Sequence, residues 1–196
     1  VTREEITEFH FISPIENLDS ILKVGILSHE RARKVQHQSV AMDEVQARRS
    51  LVVIPGGMPL HHYANLYFHG RNPMLYKLQG RHQSLCVLRV KPDVLDLSGV
   101  VIADCNASSD YVRFGKPPDA LDRIIKEQVF AEYWTHDDPI EQMRRKSIKC
   151  AEILVPGRVD SQYIFGAYVS CEQSKEAVLA VAPTIEVVVT PRFFFR

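Results

Sequence analysis

The sequence reads as an α+β domain with mixed or antiparallel central sheets and short flanking helices, on three observations. Apolar runs of strand length recur along the chain, short helical patterns lie among them, and the two do not alternate regularly as parallel α/β folds require. At 196 residues, with 45% hydrophobic and 24% charged side chains, the chain suffices for one core, so residues 1–196 are taken as a single domain. Neither GxGxxG nor GxxxxGK[ST] occurs, which removes the Rossmann and P-loop nucleotide sites.

The elements follow in order. Ile6 to Ser13 reads as a first strand. Pro14 opens a helix whose apolar positions Ile15, Leu18, Ile21 and Leu22 keep helical spacing, and Gly25 ends it. Residues 28 to 50 are polar and read as short surface helices, and Pro55-Gly56-Gly57 is a turn. Leu66 to Phe68 form a short strand, and Asn72-Pro73 is an N-cap followed by proline at the first helical position. Strands follow at Ser84 to Val90 and Val100 to Ala103, then a polar loop from Asn106 to Phe114. Helices are expected at Pro117 to Glu127, Pro139 to Ile148 and Ser174 to Leu179, with strands at Ala151 to Val155, Tyr163 to Val169 and Ile185 to Thr190.

Composition removes several classes of function. Formal net charge is zero, so nucleic-acid binding must come from local patches. Cys86, Cys105, Cys150 and Cys171 lie far apart without zinc spacing and read as reduced thiols, consistent with a cytoplasmic protein. No apolar run approaches the roughly 20 residues of a membrane span, and no signal-peptide pattern opens the chain. His61, His62 and His69 lack a carboxylate that would complete a ligand set, so no metal is expected.

The chemistry concentrates in a few places. Residues 62 to 76 pack Tyr63, Tyr67, Phe68 and Tyr76 beside His62, His69, Arg71, Asn65 and Asn72. Rings beside polar donors can sandwich a planar heterocycle and read its edge, although an amphipathic strand entering a helix would look similar. Glu152 opens the apolar run Ile153-Leu154-Val155 after a basic stretch. It is either salt-bridged or a fixed anion facing developing positive charge, as in glycosidic cleavage. His10 alternates with Phe9 and Phe11, and is either a bonded core histidine or a ligand contact. Arg48-Arg49 is a solvated helix end or a clamp for a diphosphate.

These elements taken in order resemble the DarT family of DNA ADP-ribosyltransferase toxins. The resemblance rests on Phe9-His10-Phe11-Ile12-Ser13, Glu16 to Leu22, Arg48-Arg49, Tyr63, Tyr67-Phe68, Arg71-Asn72-Pro73-Met74-Leu75-Tyr76 and Ala151-Glu152-Ile153-Leu154-Val155-Pro156. It implies an ADP-ribosyltransferase fold and transfer of ADP-ribose from NAD⁺ to thymine or guanine in single-stranded DNA. It also implies a toxin–antitoxin role, with a DarG-type macrodomain antitoxin as partner. By resemblance, Arg48 and Glu152 are catalytic, and His10, Phe11, Ile12, Asp19, Leu27, Arg48 and Arg49 hold NAD⁺. DNA contacts are expected from Tyr63, Tyr67, Arg71, Asn72, Tyr76, Arg144, Arg145, Lys146 and Lys149, with Trp134 also available for stacking. A monomer suits a small toxin, and no membrane association is expected. The alternatives are transfer to RNA or protein, a non-catalytic nucleotide-binding module, and an adaptor with aromatic patches.

Overall fold

The computed structural model describes all 196 residues, Val1–Arg196. The strands are β1 (Phe9–Pro14), β2 (Ile26–Leu27), β3 (Tyr63–Tyr67), β4 (Leu85–Val90), β5 (Val101–Ala103), β6 (Phe114–Gly115), β7 (Glu152–Pro156), β8 (Arg158–Val159), β9 (Ile164–Val169) and β10 (Glu186–Val189). The helices are α1 (Leu18–Val24), α2 (His29–Ala32), α3 (Asp43–Ser50), α4 (Pro73–Lys77), α5 (Lys126–Val129), α6 (Pro139–Ile148) and α7 (Glu172–Val181). Eight strands form one sheet in the order β10-β9-β4-β1-β3-β7-β5-β6, while β2 and β8 pair separately. Only β9 and β10 run parallel, so the sheet is mixed but mainly antiparallel, as expected.

Local chemistry sets the ends of the elements that carry the site. Pro14 closes β1 instead of opening a helix; a 3-10 turn, Ile15–Asn17, leads into α1. Gly25 ends α1 at φ 87°, where a Cβ would run into the carbonyl oxygen of Val159. Asn72 caps α4 by accepting from the N–H groups of Met74 and Leu75 at 3.0 and 3.1 Å, with Pro73 at the first helical position. Asp138 caps α6 likewise, accepting from Ile140 at 2.8 Å. The helix expected over Pro117 to Glu127 is instead a 3-10 turn, Asp119–Arg123, followed by α5.

Strand alternation divides the interior. Phe9, Leu66, Leu88, Ile102 and Ile153 enter the large core with Leu18 and Ile21 of α1 and Val178 of α7. On the other face lie two smaller clusters. One holds Ile12, Tyr67, Leu85, Val87 and Cys150; the other holds Leu60, Tyr63, Val101, Ala103 and Leu154. A cavity of about 1240 Å³ opens between them, lined by residues of both. No helix is long and apolar enough to cross a membrane.

Candidate active site

Antiparallel register places Arg89, His10, Tyr67, Glu152 and Ala103 side by side across β4, β1, β3, β7 and β5. Glu152 is 1% exposed. Its Oε1 accepts from Arg49 Nη1 at 2.9 Å and from the Ala107 N–H at 3.0 Å. Its Oε2 is buried and has no hydrogen-bond partner. A buried acceptor left unmet costs about 1–3 kcal/mol, more when charged, so this oxygen is where a donor from a ligand is wanted.

The neighbours are tuned by this anion. Burial opposes the charge on Arg49, but the Glu152 carboxylate outweighs it and the guanidinium's pKa rises above its usual value. Burial and then Glu152 push the Tyr67 phenol well above its ordinary range, and push the Cys150 thiol up to about 12. Both therefore stay protonated near neutrality. Cys150 is not a thiolate nucleophile, while Tyr67 can donate; its hydroxyl lies 3.1 Å from Met74 Sδ.

Of the two adjacent arginines, the second meets the glutamate. Arg49, in the last turn of α3, is the guanidinium that meets Glu152; Arg48, one step of about 100° around the helix, is exposed at the cavity rim and has no carboxylate partner. Phe11, Ile12, Leu27, Arg48, Arg49, Tyr63, Tyr67, Arg144 and Lys146 all line the cavity.

Other expected contacts lie elsewhere. The His10 ring shares the sheet face of Glu152 but packs against His69, Tyr168 and Phe193, bonded to Glu8 at 3.0 Å, and does not line the cavity. Asp19 points to solvent and pairs with Lys23 at 2.6 Å. Arg71 is buried, donating to the Arg192 carbonyl and lying 3.9 Å over the Phe195 ring. Asn72 spends its amide on the α4 cap and on the His69 carbonyl. Lys149 is fully buried, donating to the Val129 carbonyl at 2.8 Å and meeting His69 Nδ1 at 2.7 Å; burial lowers its pKa to about 7. Tyr76, half exposed, forms an edge-to-face cluster with Trp134 and Phe195 outside the cavity lining, and Arg145 pairs with Glu141 at 2.9 Å.

Residues not anticipated complete the walls. Asn17, Ser20, Ile21 and Val24 present one face of α1 and its entry to the cavity. Their i, i+3, i+4, i+7 spacing was present in the sequence, as was the Asp19–Lys23 pair that marks the opposite, solvated face. Asn17 also holds the covering loop, exchanging 2.8 and 2.9 Å hydrogen bonds with the backbone of Gln38. No sequence signal points to the Ala107 N–H, since a loop amide can be aimed only by the fold.

The mixed sheet, opening beside a buried glutamate paired with an arginine, has the ADP-ribosyltransferase fold by its likeness to solved structures. Thermus sp. 2.9 DarT in complex with ADP-ribosylated ssDNA superposes with a TM-score of 0.84 at 26% identity, covering 98% of each chain. The same Thermus protein in complex with NAD⁺ gives 0.79 at 25% identity, covering 96% of this chain and 98% of that one. The family model described as "ssDNA thymidine ADP-ribosyltransferase, DarT" matches residues 9–195, and the chain belongs to this family. A DNA ADP-ribosyl transferase–DNA ADP-ribosyl glycohydrolase fusion protein of Thermosipho africanus is 32% identical over 197 residues. That match takes in 96% of this chain but 49% of the fusion, so the chain spans about half the length of that relative.

Proposed function

We propose that this chain transfers ADP-ribose from NAD⁺ to a base of single-stranded DNA, thymine following the family model's description, with release of nicotinamide. The observation that carries the reading is Glu152, a buried carboxylate with one oxygen fixed by Arg49 and Ala107 and the other unmet. NAD⁺ supplies an ADP-ribosyl group on a leaving group that departs neutral. The ribose C1′–nicotinamide bond breaks with its electron pair going to nicotinamide, and a base nitrogen supplies the pair for the new bond as it loses its proton.

The residues fit that chemistry. Glu152 Oε2 can accept from a ribose hydroxyl, and this bond strengthens as positive charge grows on the ribose, which is selective stabilisation of the transition state. Arg49 keeps its proton, so its contribution is to orient Glu152 and to stabilise negative charge on the base as its proton leaves to solvent. Phe11, Tyr63 and Tyr67 offer aromatic surface in the cavity for flat rings. Arg144 and Lys146 on α6 and Lys77 on α4 line its rim with positive charge for a phosphate backbone. At about 1240 Å³ the cavity exceeds the roughly 300–1,000 Å³ usual for one small ligand, leaving room for a dinucleotide and a base together.

A toxin role, with a DNA ADP-ribosyl glycohydrolase of the DarG type as the opposing partner, follows the domain pairing in the Thermosipho fusion. Mass spectrometry of a random single-stranded oligonucleotide pool after exposure to the protein and NAD⁺ tests the reading. An ADP-ribose adduct on thymine is the expected product. Adducts on guanine would change the acceptor, adducts only on RNA or protein would change the substrate class, and no NAD⁺ consumption with any acceptor would reject the proposal.

A further inference from the structure

His29 and His61 take no part in the chemistry above, yet they face the same cavity. His29 opens α2, and His61 lies in the 3-10 turn Leu60–His62 just before β3. Their rings stack with centroids 4.1 Å apart and planes 33° apart. The Nε2 of His61 is buried and has no hydrogen-bond partner.

Two ion pairs flank the stack. Arg49, bonded to Glu152 at 2.9 Å, faces it from α3, and Arg33, 3.7 Å from Glu30, from the end of α2; His37 is a further titratable neighbour. Burial first, and then Arg33 at His29 and the His29 ring at His61, hold both imidazoles below the usual histidine pKa. The free protein thus carries an uncharged pair of rings, kept so chiefly by burial, between two arginine–glutamate pairs. A neutral imidazole nitrogen with a lone pair repels a phosphate oxygen, whereas a protonated one donates to it. An arriving anion supplies a negative charge that offsets the cost of protonating a buried ring.

We propose that the His29–His61 stack seats a phosphate of the dinucleotide diphosphate, and that one of the two rings takes up a proton from solvent as the anion binds. This rests on the reading of NAD⁺ as substrate and adds to it a binding subsite and a proton linkage. The diphosphate is fully ionised near neutrality, so the linked proton must come to the protein.

The test is titration calorimetry of NAD⁺ into the full chain from about pH 5.5 to about pH 8.5, in two buffers of different ionisation enthalpy. The expected result is net proton uptake on binding. Affinity should strengthen about tenfold as pH falls through the bound-state pKa, and level off below the free-state one. His61→Gln and His29→Gln should each weaken binding and flatten this profile. Binding with no proton uptake and a flat profile overturns the histidine inference and leaves NAD⁺ recognition intact. Uptake that persists unchanged in both variants also overturns it. No NAD⁺ binding at any pH removes the functional reading and this inference with it. If the variants fail to fold, NMR of the histidine rings in the unmodified chain decides: protonation of His29 or His61 on NAD⁺ binding is expected, and protonation of another group alone overturns the inference.

Discussion

Glu8 and Glu152 are both carboxylates drawn out of water beside the central strands, and they are satisfied in opposite ways. Glu8 receives His10 Nε2 at 3.0 Å, Tyr168 OH at 2.8 Å and Arg89 Nε at 2.7 Å, so both of its oxygens are engaged. Burial pushes its pKa up, but these hydrogen bonds win and hold it at about 2. Glu152 has two donors on one oxygen and none on the other. A carboxylate with both oxygens engaged by the protein has little left for a substrate and works as a structural joint. One held firmly on a single side keeps its orientation and retains an acceptor to use.

That contrast can be broken at either end. The largest effect is expected from Glu152→Ala, which strands the buried Arg49 without its counter-charge. A loss of about 3–5 kcal/mol in denaturant unfolding is expected, together with loss of DNA labelling. Arg49→Lys keeps a charge but not the planar fork, and should lower the rate of labelling by about 10² or more while Arg48→Ala stays within a few-fold. Equal losses at both positions would mean that α3 is rotated from the orientation described.

Glu8→Gln should act on stability. The pKa of Glu8 is lowered on folding, so its contribution is complete above about 4.5 and is lost as pH falls towards about 2. Replacing it should remove on the order of 3 kcal/mol or less near neutrality and reduce the acid sensitivity of the melting temperature. An unchanged acid profile would show that the Glu8 network contributes nothing. Asp19→Ala is the smallest change, expected within about 0.5 kcal/mol because the exposed Asp19–Lys23 pair is screened by water, with NAD⁺ affinity unaltered.

The same contrast explains what could be read from the sequence. Glu152 was legible because a carboxylate heading an apolar strand is costly and needs a reason. The mixed α+β architecture followed from strand runs and short helices. The packing of the His10 ring could not be read from the sequence because β1 is covered on both faces. With Phe9, His10, Ile12, Ser13 and Pro14 all buried, no polar alternation reveals which neighbours each side chain meets. Arg48 and Arg49 could not be ordered because α3, from Asp43 to Ser50, carries few apolar residues and so has no stripe to fix its rotation. Arg71 and Lys149 stand in the sequence as expected DNA contacts. Both are buried by distant parts of the chain, the carbonyls of Arg192 and Val129, which local patterns do not reach.

The most direct test compares Glu152→Gln with Glu8→Gln, each neutral and near in shape to the original. The rate of thymine labelling would be measured on equal amounts of folded protein, below the melting temperature of both. The expected result is a fall of about 10³ for Glu152→Gln and a rate within a few-fold of the unmodified protein for Glu8→Gln. Full activity in Glu152→Gln, or an equal collapse in both, would contradict the assignment of the chemistry to the half-satisfied carboxylate.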